Sequence, residues 1–119
     1  MEKQSITDLS YLREMAMGDE DIVIETTEVF LEDTPDALEK MKAYYANEQW
    51  DELGKLAHKI KPNLSYMGME RARELIIDIE EQAKGKNISD DLRDKISEFE
   101  DLCRQAFGEL TAKVKKLKS

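Results

Sequence analysis

Apolar residues recur along this chain at intervals of three and four, and nowhere alternate for long enough to suggest a strand. Trp50, Leu53, Ala57, Ile60, Leu64 and Met67 step by 3, 4, 3, 4 and 3. On a helix, that spacing draws one narrow seam that turns toward neighbouring helices. A second seam follows in Ala72, Leu75, Ile76, Ile79 and Ala83. A third runs through Leu92, Ile96, Phe99, Cys103, Ala106, Leu110, Val114 and Leu117. Earlier, Ile22, Val23, Thr26, Val29 and Phe30 keep helical spacing, as do Leu38, Met41 and Tyr45, while Leu9, Leu12 and Met15 suit a short first helix.

The punctuation between the seams is helical too. Thr7 or Asp8 is placed to cap the first helix and Gly18 to end it; Asp19 is placed to cap the second. Thr34–Pro35 reads as a restart, a capping hydroxyl followed by proline at a first helical position, on a segment nearly continuous with the one before. Asn47 marks a break, Gly68 another, and Lys84, Gly85, Lys86 and Asn87 a third, after which Ser89 or Asp90 caps the last helix. Lys113, Lys115, Lys116 and Lys118 suit the negative pole at its end. Connections this short favour antiparallel neighbours. The pattern predicts an all-α fold: an antiparallel up-down-up-down four-helix bundle with an additional short N-terminal helix, one domain over residues 1–119.

Composition narrows the function. Charged residues make up 38% of the 119 and hydrophobic ones 40%, enough for a core in a soluble chain, and two prolines and five glycines leave long helices intact. A net charge of -9 argues against nucleic acid and anionic membrane surfaces, and serves first to keep a small helical protein soluble. Cys103, the one cysteine, reads as a core thiol in a reducing compartment. No stretch reaches the ~20 apolar residues of a membrane span, and the first residues lack the apolar block of a signal peptide; the expectation is a cytoplasmic protein without membrane insertion.

One histidine remains, and it is off the seam. At roughly 100° per residue, His58 lies about 130° from the seam's centre on its own helix. Gly54, Lys61, Pro62 and Ser65 share its flank, so the imidazole is expected in a shallow clearing. Glycine costs about 1 kcal/mol and proline about 3 kcal/mol in a helix interior. Both stand four residues from the histidine, which suggests a helix shaped for access, with a kink and a freed His58 carbonyl at Pro62. Lys61, within one turn, is placed to offset the charge of a phosphorylated ring. Lys55 and Lys59 flank more loosely, and Ser65 is a weak hydrogen-bond donor candidate. No carboxylate cluster is expected to accompany the histidine.

These residues resemble the histidine-containing phosphotransfer (HPt) domain of bacterial multistep phosphorelays. That family's signature is an Ala-His pair, a lysine three positions after the histidine, a small residue or proline next, and a glycine ten positions after it. Here they are Ala57, His58, Lys61, Pro62 and Gly68. Similarity extends upstream through Phe30–Pro35 and Asn47–Leu53, and essentially the whole chain can be placed. The resemblance implies a four-helix bundle with an added N-terminal helix and a histidine phosphorylated on its outward nitrogen, Nε2. The phosphoryl group would come from an aspartyl phosphate on a receiver domain of a response regulator or hybrid sensor histidine kinase, and pass to another receiver. Mg2+ would sit on the receiver, with no cofactor of this chain's own. Lys61 would hold the phosphoryl oxygens, and Tyr66, Met17 or residues 19–31 would form a docking patch on a monomer. Many members carry glycine where Pro62 stands; Gly54 is expected to restore some room.

Two other functions fit parts of the pattern. A sensor kinase's dimerisation and phosphoacceptor region often has proline four residues after its histidine, but usually an acidic residue or asparagine directly after it, where this chain has Lys59. Without a Gly-rich nucleotide segment, no kinase activity of its own is expected. A helical adaptor needs no histidine chemistry. A bundle metal enzyme would need several inward Glu and His residues, and one outward histidine does not supply them.

Overall fold

The computed structural model describes residues 5–119; the first four residues of the predicted domain lie outside that range. Five helices follow in order: α1 (Ser10–Met15), α2 (Glu20–Ala46), α3 (Trp50–Tyr66), α4 (Glu70–Gly85) and α5 (Leu92–Lys118). No strand occurs among the described residues. α3 packs against α2 and α4, α5 packs against α4 and α2, and α1 touches α2 and α3. The three long seams meet between them: Leu53, Ala57, Leu64, Ile76, Ile79, Phe99, Cys103 and Leu110 are buried together. No helix among the described residues is long and apolar enough to cross a membrane.

Local chemistry sets most boundaries. The Asp19 carboxylate accepts hydrogen bonds from the Asp21 and Ile22 amides, and Glu20 and Asp21 add negative charge to the first turn of α2. Met17 (φ 53°) and Gly18 (φ 80°) make the turn that precedes it. Asp8, rather than Thr7, meets an orphan amide of α1, accepting from Ser10 N at 2.8 Å. Neither Ser89 nor Asp90 caps α5: the Ser89 hydroxyl is engaged by Gln82 and Asp91, and Leu92 opens the helix after Asp91.

α2 corrects the sequence reading in two ways. It does not restart at Thr34–Pro35 but runs unbroken through them. Pro35 removes one backbone donor, yet Phe30, Thr34, Leu38 and Met41 continue a single buried face across it. That face begins at Val23 and Thr27, whereas Ile22 and Val29 are exposed. Threonine tolerates the position because Thr27 Oγ1 donates to the Val23 carbonyl at 2.7 Å, satisfying its own hydroxyl. Met15 of α1 is exposed as well, while Leu9, Leu12 and Ala16 face inward.

The N-terminal segment is tied across the end of the helices. Asp8 N donates to the Met67 carbonyl at 2.9 Å, at the end of α3. Gly68 (φ 69°) lies under it: a Cβ there would stand 2.3 Å from the Asp8 carbonyl oxygen. Gly68 thus admits the incoming strap of chain.

Candidate functional site

His58 stands in the middle of α3 with 65% of its side chain exposed. Ala57 before it is fully buried in the seam, which fixes the rotation of the helix and turns the next residue outward toward the α4 side. There the ring meets Glu80 of α4, whose Oε2 lies 2.8 Å from His58 Nδ1. Lys61 Nζ, one turn along α3, donates to Glu80 Oε1 at 3.0 Å. Lys84 Nζ, one turn along α4, reaches Glu80 Oε2 at 2.7 Å.

Glu80 is the hub, and its side chain is only 10% exposed. Burial pushes its pKa up, but the hydrogen bonds from Lys84, Lys61 and His58 outweigh that and hold it at about 2. An ionised carboxylate only accepts hydrogen bonds. The ring nitrogen facing it therefore carries a proton: Nδ1–H donates to Glu80. In the neutral ring, Nε2 is then the nitrogen with the free lone pair. Two ammonium groups share the single carboxylate, leaving one surplus positive charge beside that nucleophile. A nucleophile with local positive charge suits an incoming phosphoryl group.

The predicted site residues divide. Lys61 joins the histidine, through Glu80. Gly54 does not open a clearing: it is buried, and a Cβ there would meet Lys84 Cγ at 3.0 Å and Ala83 Cβ at 3.5 Å. Its missing side chain lets α4 and the stem of Lys84 lie close against α3. Pro62 is exposed, and α3 continues past it unbroken to Tyr66. Ser65 is on the histidine's side of the helix but about 10 Å further along the axis, in a groove with Tyr11, Gly68 and Arg73. Gly68 serves the N-terminal strap instead of the histidine. Lys55 is turned to Glu52 at 3.8 Å, and Lys59 lines a groove toward α2 with Asp33 and Ala37. Neither reaches Glu80.

Glu80 and Lys84 were not singled out in the sequence. A signal exists for the first: Glu80 is four residues after Ile76 and three before Ala83, so a carboxylate falls within an otherwise apolar face. Such a group needs a cation or donor opposite it. Its partners on α3 are 19 and 22 positions away in sequence, and only packing brings them together.

Exposed apolar side chains lie on α1, the turn after it and the start of α2: Tyr11, Met15, Met17, Ile22 and Val29, with Met17 93% exposed. Tyr11 of α1 stacks on Tyr66 at the end of α3, centroids 6.0 Å apart and rings 15° from parallel. Among the described residues, no three His, Cys, Asp or Glu side chains gather as a metal site.

Residues 25–117 match the family model of the Hpt domain. Searches of curated proteins and of solved structures gave no match.

Proposed function

Because this chain belongs to the Hpt domain family, whose members carry out phosphotransfer in phosphorelays, we propose that it is a phosphocarrier with His58 as its phosphorylated residue. The observation that carries this reading is the Nδ1–Glu80 hydrogen bond at 2.8 Å, which leaves Nε2 unprotonated on a largely exposed ring. Residues 1–119 act as one domain. In it α2 to α5 form the antiparallel up-down-up-down bundle, supported by the ring of packing in which each helix touches two of the others, and α1 closes one end.

Nε2 attacks the phosphorus of an aspartyl phosphate on a receiver domain. The N–P bond forms as the acyl O–P bond breaks, and the aspartate leaves as a carboxylate. The ring becomes a phosphorylated imidazolium whose remaining proton stays on Nδ1, where Glu80 stabilises it. Lys61 and Lys84 offset the phosphoryl oxygens. Mg2+ belongs to the receiver, where it would stabilise the charge on the transferring group. Return transfer to a second receiver reverses the same steps. Partners are receiver domains of response regulators or of a hybrid sensor histidine kinase, meeting a cytoplasmic monomer through Tyr11, Met17, Ile22, Val29 and Tyr66. The apolar seam of α3 is already covered by α2 and α4, which leaves no hairpin face for the obligate dimer of a kinase phosphoacceptor region.

The test is phosphoryl transfer from a panel of phosphorylated receiver domains to the wild type and to His58→Gln. Acid-labile, base-stable label on the wild type alone is expected. A folded wild type that takes label from none of them would overturn the proposal in favour of an adaptor.

A further inference from the structure

Outside the histidine site, Glu109 of α5 is heavily bonded among the described residues. Its carboxylate accepts from Ile6 N and Thr7 N at 3.1 Å, from Thr7 Oγ1 at 2.7 Å and from Ser5 Oγ at 2.8 Å, with Gln105 Nε2 at 3.1 Å. One turn on, Lys113 Nζ donates to the Thr7 carbonyl at 3.0 Å and to Thr7 Oγ1 at 2.8 Å. Thr7 is itself buried. Five donors on one carboxylate are more than solubility or an ordinary surface turn requires. Although burial works against the charge, the bonds from Thr7, Ile6, Ser5 and Gln105 hold the carboxyl at about 2, so it stays ionised.

The clamped segment leads directly into α1. From Thr7 the chain passes to Asp8, which bonds Met67 and covers Gly68, then to buried Leu9 and Leu12. α1 is six residues long, well short of the ~12–15 at which isolated helices become even marginal. It is held in place from outside. What it presents there is Tyr11, stacked on Tyr66, and Met15, with Met17 in the turn that follows. Tyr66 is eight residues from His58 on α3, about 12 Å along the axis. A partner covering the usual ~800 Å² spans a disc of roughly 16 Å radius. One centred between His58 and Tyr66 takes in α1.

We infer that Glu109 is a positioning residue for partner docking: by clamping residues 5–7 to α5, it holds α1 and its apolar side chains beside the histidine face. It acts on recognition and leaves the reactivity of the ring alone. The inference rests on the phosphotransfer reading above. If loss of the clamp leaves α1 docked for only about a tenth of the time, apparent affinity for the partner falls about tenfold.

The experiment compares wild type, Glu109→Ala and the milder Thr7→Val, which also removes the hydroxyl seen by Glu109 and Lys113. Transfer kinetics are measured with the receiver that serves the wild type best, and direct labelling of His58 with phosphoramidate, a donor too small to need docking. Hydrogen exchange is followed along the chain. Expected for Glu109→Ala are a KM raised about tenfold, kcat within twofold, unchanged phosphoramidate labelling, and faster exchange confined to residues 5–16; Thr7→Val should move the same quantities less. Unchanged KM despite faster exchange would overturn the inference, as would exchange that does not change. If Glu109→Ala fails to fold, Thr7→Val decides by the same two criteria. A wild type that takes no label from the receivers overturns the phosphotransfer reading and this inference with it, whereas a labelled wild type with equal KM in the variants overturns this inference alone.

Discussion

Replacing Glu80 by leucine should shift the proton of the neutral His58 ring from Nδ1 toward Nε2. In the wild type the carboxylate accepts Nδ1–H at 2.8 Å. A hydrogen bond to a charged group contributes about 1.5–3 kcal/mol, which solvent at a 65% exposed ring reduces to about 1 kcal/mol. Removing it changes the ratio of the two neutral ring forms about fivefold against the one with Nε2 free. If only that form attacks phosphorus, the change in ring form lowers kcat/KM for transfer by up to that factor, and the loss of the counter-charge to the imidazolium formed on attack lowers it further. Glu80→Gln keeps an acceptor but not the charge, and a neutral hydrogen bond has about half the strength, so its loss should be two- to threefold. The fold should survive in both but with lower stability, because the groups that lose the carboxylate, His58 at 65% and Lys84 at 52% side-chain exposure, can turn to water. The assay is nitrogen-15 NMR of the ring at alkaline pH, read beside transfer kinetics. A wild-type ring protonated on Nε2, or a Glu80→Leu ring unchanged from wild type, would refute the reasoning.

Gly68→Ala should lower stability by at least about 2 kcal/mol, a fall in Tm of roughly 5–10 °C, because its Cβ would stand 2.3 Å from the Asp8 carbonyl oxygen. Gly18→Ala is the control: it has φ 80° with nothing within 4 Å, so it bears only the backbone cost, about 1 kcal/mol. Equal melting temperatures for the two variants would mean the strap does not press on Gly68. Acid should destabilise the fold through Glu80 and Glu109, both held at about 2 when folded. Their folded values lie below the unfolded carboxylate value of about 4.3, so their stabilisation is complete above that pH and is lost as pH falls toward 2. Urea titrations should show a midpoint that drops between pH 5 and pH 2, and less steeply in the Glu80→Gln, Glu109→Gln double variant; identical slopes would contradict the assignment.

The helices were legible because packing in this chain follows simple periodicity. The seam from Leu53 to Met67, the seam of α4 and that of α5 as far as Val114 are buried as spaced, with Leu117 only partly covered, and Asp19 caps as expected. α2 was harder because hydrophobicity and burial part company there. Thr27 and Thr34 go inside, Thr27 satisfying its hydroxyl at the Val23 carbonyl, while Ile22 and Val29 remain outside. Proline misled for a related reason: a missing N–H at Pro35 costs less than breaking a buried face that continues past it. At the site, His58 and Lys61 were visible since they share one turn of one helix. Gly54 was visible but misread, because the neighbour it accommodates, Lys84, lies on another helix. Glu80 escaped notice for the same reason: its meaning comes from groups that the chain brings to it only after folding.

The open setting of His58 bears on which way phosphate flows. In the phosphotransfer proposed above, with 65% of the side chain exposed and one nitrogen turned out, the ring would meet a donor and an acceptor through the same atom and beside the same two lysines. Nothing in that arrangement distinguishes arrival from departure, so by microscopic reversibility this chain favours neither direction. The direction of net transfer is then a property of the two aspartyl phosphates on either side, the less stable one emptying into the more stable.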